Sequence, residues 1–130
     1  MKLIVKKSKI GLGAFATGNF AKGEVLVDWT NHPLFQNPPF IPRHWKFVSI
    51  GNGVYNGPVG LEEYPDTYLN HSCLANAVIL FGKEIHLVAL RDIPAGEEVT
   101  FDYATLYPAS WSMKCKCGET FCRGVIRGRR

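Results

Sequence analysis

Short runs of β-forming residues recur along the chain, and glycine or proline lies between most of them. The clearest runs are Leu3–Lys7, Glu24–Trp29, Lys46–Ile50, Ala77–Phe81, Glu84–Leu90 and Glu98–Tyr103. No long segment repeats apolar residues at the helical period, and prolines 33, 38, 39, 42, 58 and 65 oppose helix formation in the middle of the chain. The sequence therefore predicts a mainly β fold of several small sheets with few short helices.

Three local predictions follow from the same pattern. The runs Ala77–Phe81 and Glu84–Leu90 flank Gly82–Lys83, which predicts a β-hairpin with a two-residue turn that begins with glycine. Short helical turns are predicted around Leu61–Tyr64 and Ala109–Met113. The glycines at positions 11 and 13 are typical of a sharp turn before a strand, although a Gly-x-Gly pair can also let a ligand approach the backbone closely.

Length, charge and hydropathy restrict the class of protein. At 130 residues the chain fits one domain, and no segment approaches the roughly 20 consecutive apolar residues of a membrane span. The N-terminal sequence MKLIVKKSK lacks the apolar region of a secretory signal. We therefore expect a soluble, intracellular protein, in the cytoplasm or the nucleus, with no membrane partner.

The net charge of +4 arises partly from basic residues near both ends. A basic end can contact nucleic acid through phosphates, but Arg127–Arg130 alone is more typical of a solvated terminus. A zinc-stabilised nucleic-acid binder is thus one interpretation, although the chain lacks a recognisable recognition element. Nucleic acid is not the substrate that we expect.

Three cysteines near the C-terminus form a C-x-C-x4-C pattern: Cys115, Cys117 and Cys122. Tetrahedral zinc takes four ligands, so the pattern leaves one position for a distant residue, and both His71 and Cys73 are candidates. The alternative is that the cysteines bind nothing, but clustered thiols beside lysine and arginine would oxidise readily. We favour a structural zinc site that attaches the C-terminal segment to the region of Cys73.

The stretch from Asn70 to Asn76 places adjacent polar side chains inside an apolar run. Burying unpaired polar groups costs a few kcal/mol each, so this stretch lies in a loop or has partners. Taken alone, His71 is more typical of a hydrogen-bonded core histidine and Tyr103 of a packed strand aromatic.

Four motifs, in order, resemble those of SET-domain protein lysine methyltransferases. They are GLGAFAT at Gly11–Thr17, LNHSCLAN at Leu69–Asn76, GEEVTFDY at Gly96–Tyr103 and CKCGETFCRG at Cys115–Gly124. The resemblance covers nearly the whole chain from Lys6 to Gly124. It implies a β-clip fold of small curved sheets with a C-terminal pseudoknot, divided into a SET domain at residues 1–107 and a post-SET zinc-binding segment at residues 108–130.

The resemblance also implies roles for individual residues. S-adenosylmethionine would contact Gly11, Leu12, Gly13, Asn70 and His71. Tyr103 would be the catalytic tyrosine, Phe101 would influence how many methyl groups are added, and Trp29 would line the lysine channel. Zinc would be bound by Cys73, Cys115, Cys117 and Cys122.

The implied activity is S-adenosylmethionine-dependent transfer of methyl to a lysine of a histone or another basic protein. The segment Asn31–Asp66, which matches no family motif well, would help to choose that substrate. The alternative is a non-catalytic SET-like binding module that keeps the fold and the zinc. The joint presence of Asn70, His71 and Tyr103 favours the enzyme.

Overall fold

The computed structural model describes residues 2–9, 11–29, 34–36, 48–51, 54–56, 65–107 and 109–129. Within these ranges no helix is long and apolar enough to cross a membrane. The predicted helical turn at 61–64 and residues 46–47 of a predicted strand lie outside them. So does most of the segment 31–66 that the resemblance associates with substrate choice.

Strands numbered in chain order make up most of the regular structure. They are β1 Leu3–Ser8, β2 Gly11–Ala16, β3 Val25–Asp28, β4 Leu34–Gln36, β5 Val48–Gly51, β6 Val54–Asn56, β7 Asn70–His71, β8 Ala77–Leu80, β9 His86–Ala89, β10 Thr100–Phe101, β11 Ser112–Lys114 and β12 Val125–Arg127. Two short 3-10 helices span Pro65–Tyr68 and Tyr103–Thr105. The predicted mainly β fold of small sheets with few short helices is confirmed.

Within the described part of the chain, the strands form four small sheets. Strands β1 and β2 form an antiparallel pair, as do β11 and β12, and β4, β6 and β5 form a third sheet in that order. The largest sheet has the order β3-β9-β8-β10-β7. Strand β10 lies between β7 and β8, which both precede it in sequence, and it pairs with each of them in parallel. A late segment is thereby inserted between two earlier ones.

Among the described residues, a hydrophobic core joins β1 and β2 to the five-stranded sheet. Its largest fully buried side chains are Phe101, Leu69, Leu87, Ile93, Leu106, Ile126 and Val99. Full burial of each such side chain contributes about 1.5–3 kcal/mol. Because these residues come from β9, β10, β12 and the connecting segments, the core holds the polar stretch at 70–76 against the segment at 97–104.

The structure corrects three local predictions. Strands β8 and β9 do pair, but their last pair is Leu80 with His86, so the connection spans residues 81–85 rather than two residues. Gly82 is not among the described glycines with positive φ, which the predicted turn type requires at its first position. The predicted helical turn at Ala109–Met113 is also wrong, because a turn at 109–110 leads into β11.

The third correction concerns Tyr103, which was expected to continue the strand of Phe101. Strand β10 ends at Phe101, and Asp102 caps the 3-10 helix Tyr103–Thr105 by accepting a hydrogen bond from the Ala104 N–H at 2.9 Å. A side chain that binds a nearby backbone N–H favours a helix start over continued strand. Tyr103 is therefore placed by a helix cap.

Candidate functional site

The polar stretch at 70–76 has partners throughout, which explains its place in an apolar run. Asn76 is buried, and its amide donates to the Glu98 carbonyl and to a Glu97 carboxylate oxygen, both at 2.8 Å. Its Oδ1 accepts from the Thr100 N–H at 2.9 Å. One side chain thus fixes the inserted segment beside the stretch.

His71 is buried, with both ring nitrogens engaged inside the protein. Its Nδ1 accepts a hydrogen bond from the Tyr103 N–H at 3.0 Å, so the proton of the neutral ring is on Nε2, which faces Cys73 Sγ at 3.4 Å. Burial lowers the pKa of His71 from 6.5 to about 4, although the Asp102 carboxylate opposes the shift. The imidazole therefore links the backbone of Tyr103 to a cysteine sulfur.

Tyr103 lies in an aromatic group formed with Phe101, Tyr107 and Trp111. The Tyr103 ring centroid is 4.9 Å from that of Phe101, 5.9 Å from Tyr107 and 6.4 Å from Trp111. Its hydroxyl donates to the Leu69 carbonyl at 2.6 Å. Burial raises the pKa of this hydroxyl above its usual value of 10.0, so it keeps its proton at neutral pH.

The four cysteine sulfurs converge. The Sγ atoms of Cys73, Cys115, Cys117 and Cys122 all lie within 4.8 Å of one another, and those of Cys73 and Cys115 are 3.7 Å apart. Four thiolates at about 2.3 Å from a tetrahedral zinc lie roughly 3.8 Å from each other. The donor set and spacing therefore fit a four-thiolate metal site. His71 contacts the cluster only through Cys73: its Nε2 faces the Cys73 sulfur and its Nδ1 accepts from the Tyr103 N–H.

Arg123 lies between this cluster and the aromatic group. Its backbone N–H and its Nε–H both donate to Cys73 Sγ at 3.4 Å, and its Nη2 donates to Asp102 Oδ1 at 2.8 Å. Burial alone would raise the pKa of Asp102, but the hydrogen bond from Arg123 reverses this and holds it below the usual value. Arg129 donates to the other Asp102 oxygen at 3.1 Å.

A cavity of about 480 Å³ lies beside this region. Its polar lining includes Asn70, His71 and Ser72, cations from Lys7, Lys9 and Arg91, and carboxylates from Glu97, Glu98 and Glu119. The volume is within the range of small-molecule sites, about 300–1,000 Å³. The cavity can therefore take a ligand that carries charges of both signs.

Gly13 is an interior residue of β2 and not the turn glycine that the sequence pattern indicated. A Cβ built there would meet the carboxylate of Glu98 and would lie 3.1 Å from Asn70 Nδ2. Glu98 accepts from Asn70 Nδ2 and from Ser8 Oγ, both at 2.8 Å, and Asn70 also donates to the Leu12 carbonyl at 2.9 Å. Gly13 thus makes room for the polar groups that hold Asn70 at the cavity.

The other sequence-predicted site residues are placed less directly. Gly11 begins β2 with φ 111°. The residue of β2 that lines the cavity is Phe15. Trp29 is buried in the core cluster that also contains Phe101 and Tyr103. The roles of Gly11, Leu12, Gly13 and Trp29 stay predictions.

Sequence reasoning missed several residues that complete the site: Glu98, Asp102, Tyr107, Trp111 and Arg123. Glu98, Asp102 and Arg123 lie inside the motifs, and Asp102 and Arg123 are next to predicted site residues. Tyr107 and Trp111 stack with ring centroids 4.3 Å apart. The signal that could have identified them is the spacing of the aromatic residues, since Tyr107 follows Tyr103 by four residues and Trp111 follows Tyr107 by four.

Comparison with known proteins identifies the family. The SET domain family model matches residues 11–104. A Yarrowia lipolytica "Histone-lysine N-methyltransferase, H3 lysine-36 specific" is 28% identical over 97% of this chain and 18% of its own length. The human "Histone-lysine N-methyltransferase 2D" is 28% identical over 87% of this chain and 2% of its own length. The chain thus spans less than a fifth of either relative.

Solved structures show the same fold. A humanized Chaetomium thermophilum Polycomb Repressive Complex 2 bound to an inhibitor matches with a TM-score of 0.65 at 22% identity, over 82% of this chain and 15% of that chain. An autoinhibited ctPRC2 bound to S-adenosylmethionine matches with a TM-score of 0.61 at 21% identity, over the same fractions. With a family model that covers most of its length, the chain belongs to the SET-domain family.

Proposed function

We propose that this chain is an S-adenosylmethionine-dependent protein lysine N-methyltransferase. The observation that carries the proposal is the position of Tyr103. Its hydroxyl is held by the Leu69 carbonyl among aromatic rings, and its backbone is tied through His71 to the segment that borders the cavity. The names of the matching relatives, histone-lysine N-methyltransferases, support the same class. A lysine-containing basic protein, such as a histone tail, is the proposed substrate.

The cavity is the proposed cofactor site. S-adenosylmethionine carries an amino group, a carboxylate and a sulfonium, and the cations and carboxylates of the lining suit those charges. Asn70 would contact it through its side chain, which the Glu98 carboxylate and the Leu12 carbonyl hold in place. His71 would contribute through its backbone, because both ring nitrogens are engaged. When bound, the cofactor supplies an electrophilic methyl carbon.

The residues around Tyr103 suit the remaining requirements of methyl transfer. The attacking lysine must be neutral, and an apolar aromatic surrounding lowers a lysine pKa because it disfavours the charged form. Phe101, Tyr107 and Trp111 would supply that surrounding. With its proton directed at the Leu69 carbonyl, the Tyr103 hydroxyl acts as an acceptor toward the amine and orients it. Catalysis then depends mainly on positioning.

Zinc is the proposed metal of the four-cysteine cluster. Cys73 joins the three cysteines of residues 108–130, which would form a post-SET segment packed on a SET domain of residues 1–107. Four thiolates leave no open position for water, so the role is structural. Zinc would hold the C-terminal segment against the stretch that carries Asn70 and His71.

Phe101 is proposed to permit addition of more than one methyl group. It packs against the Tyr103 ring and has no hydroxyl that would hold a water in the space needed by a methylated amine. We expect di- or trimethyl-lysine with the unchanged protein and a shift toward monomethyl-lysine with Phe101→Tyr, measured by mass spectrometry of a peptide substrate. Monomethyl-lysine alone from both proteins would contradict this role.

The test of the proposed activity is transfer of labelled methyl to basic proteins. Purified protein is incubated with methyl-labelled S-adenosylmethionine and mixed histones. We expect transfer by the wild type and a loss of about 100-fold in kcat for Tyr103→Phe, the scale that a misplaced reacting group produces.

The same experiment decides between the enzyme and a SET-like binding module. Calorimetry measures binding of S-adenosylmethionine independently of transfer. Binding without transfer to any protein would support the module, and Tyr103→Phe with wild-type kcat would remove the assigned role of the tyrosine.

A further inference from the structure

Three N–H groups surround Cys73 Sγ at hydrogen-bonding distance. Two belong to Arg123, its backbone N–H and its Nε–H, and the third is His71 Nε2, each at 3.4 Å. N–H groups that donate to a metal-ligating sulfur offset its negative charge and fix its direction. Cys73 is therefore held both by its near neighbour His71 and by Arg123 from the C-terminal segment.

The Arg123 guanidinium donates to a second group at the same time. Its Nη2 contacts Asp102 Oδ1 at 2.8 Å, and the same oxygen accepts the Ala104 N–H at the start of the helix that carries Tyr103. A planar guanidinium has N–H donors in fixed directions, so it can hold a sulfur and a carboxylate in one geometry. A lysine ammonium on its flexible stem cannot fix both.

Two routes thus run from Cys73 to the backbone around Tyr103. One passes through the His71 ring to the Tyr103 N–H. The other passes through Arg123 and Asp102 to the Ala104 N–H. An exposed ion pair alone contributes little to stability. Arg123 differs because it joins the cysteine cluster to the helix cap beside the aromatic group.

We propose that Arg123 is a positioning residue that couples the metal centre to Tyr103. It holds the Cys73 thiolate in the cysteine cluster, and through Asp102 it holds the Tyr103–Thr105 helix. The kinetic part of this inference rests on the proposed methyltransferase activity, whereas the part that concerns metal retention does not.

The test compares three arginines of one segment in the full, zinc-loaded chain. Arg123→Met removes the side-chain contacts to Cys73 Sγ and Asp102 Oδ1 and keeps the backbone N–H contact to sulfur. Arg129→Met removes a contact to Asp102 Oδ2 without touching sulfur. Arg127→Met changes an exposed arginine on β12 and is the matched control. Zinc release to a chromogenic chelator is timed, and kcat and the KM for S-adenosylmethionine are measured separately.

For Arg123→Met we expect zinc release about 10-fold faster and kcat about 10-fold lower, the lower end of the range for residues that support metal ligands. The KM for S-adenosylmethionine should stay within about 2-fold, because Arg123 does not line the cavity. Arg129→Met should lower kcat less and leave zinc release unchanged, and Arg127→Met should change neither. Arg123→Lys should resemble Arg123→Met.

Each contrary result would overturn one part of the proposal for Arg123. Zinc release at the wild-type rate from Arg123→Met, or a wild-type chain that retains no zinc, overturns the link to the metal centre. Unchanged kcat overturns the link to Tyr103, and full recovery by Arg123→Lys overturns the need for a planar donor. If the wild type transfers no methyl, the proposed function fails, while zinc release still decides the metal part.

Asp102→Asn provides a second test of the coupling if Arg123→Met does not fold. Asparagine caps a helix as well as aspartate does, so the Ala104 contact is kept while the charge that Arg123 contacts is removed. We expect about 10-fold lower kcat with zinc release unchanged, since both contacts of Arg123 to sulfur remain. Wild-type kcat in this variant would overturn the coupling.

Discussion

Replacing Gly13 with alanine would test the packing behind the cavity. The new Cβ would meet the Glu98 carboxylate, so Glu98 would have to move and lose its hydrogen bonds from Ser8 and Asn70. Hydrogen bonds to a charged group contribute about 1.5–3 kcal/mol each, and the lower end suits this half-buried carboxylate. The loss is about 3 kcal/mol, from which alanine recovers about 0.4–1 kcal/mol by restricting the unfolded chain.

We therefore expect Gly13→Ala to lower the free energy of unfolding by about 2 kcal/mol, as measured by urea denaturation followed by circular dichroism. Gly82→Ala is the matched control, because a Cβ there would be 3.8 Å from its nearest neighbour, the Glu84 carbonyl, which is ordinary contact. Because alanine restricts the unfolded chain there as well, Gly82→Ala should raise the free energy of unfolding by about 0.4–1 kcal/mol.

A double-mutant cycle with Glu98→Ala assigns the cause. Without the Glu98 carboxylate, the two atoms nearest to the new Cβ are gone, so Gly13→Ala should lose more than half of its effect. The reasoning is refuted if Gly13→Ala is as stable as Gly82→Ala, or if its full effect persists in the Glu98→Ala background.

Three further predictions each concern one residue of the site. Cys117→Ser should lose zinc and lower Tm, as measured by metal analysis and calorimetry, and full zinc content would contradict the four-cysteine site. Asn76→Ala should lower the free energy of unfolding by about 3 kcal/mol, because its three partners lose their hydrogen bonds in a buried place, and an unchanged urea midpoint would contradict this. The pKa of Tyr103 is raised in the folded state, so above about pH 10 the unfolded state binds fewer protons and stability falls as pH rises. The free energy of unfolding of Tyr103→Phe should fall less steeply with pH over that alkaline range. Equal slopes for the variant and the wild type would show that Tyr103 does not contribute to this pH dependence.

The fold class and the convergence of motifs could be predicted because they depend on patterns within short segments. Alternation of apolar residues indicates strands whatever they pair with, and ordered motifs identify a family. The turn at residues 81–85 could not be predicted in the same way. Its length follows from the register of β8 on β9, which the rest of the sheet sets.

The sequence predicts which residues form the site but not the contacts that join them to one another. The family resemblance implies cofactor contact for Gly13 and His71, and these roles stay predictions. The structure adds that Gly13 lies against Glu98 and that the His71 ring lies between Tyr103 and Cys73. Glu98 lies far from Gly13 in sequence, as Tyr103 does from His71, and no local pattern encodes these contacts. Arg123 was missed for the same reason, since its contacts are with Cys73 and Asp102.

The insertion of β10 between β7 and β8 has a consequence for how the chain is made. Synthesis proceeds from the N-terminus, so β7 and β8 emerge before the strand that separates them, and Arg123 and Arg129 emerge later still. Until then Leu69 and Leu87, which are fully buried in the finished protein, lack part of their cover. We expect a nascent chain that ends before residue 100 to depend on chaperones, and the cavity to form only once Cys117 and Glu119, which line it, have emerged from the ribosome.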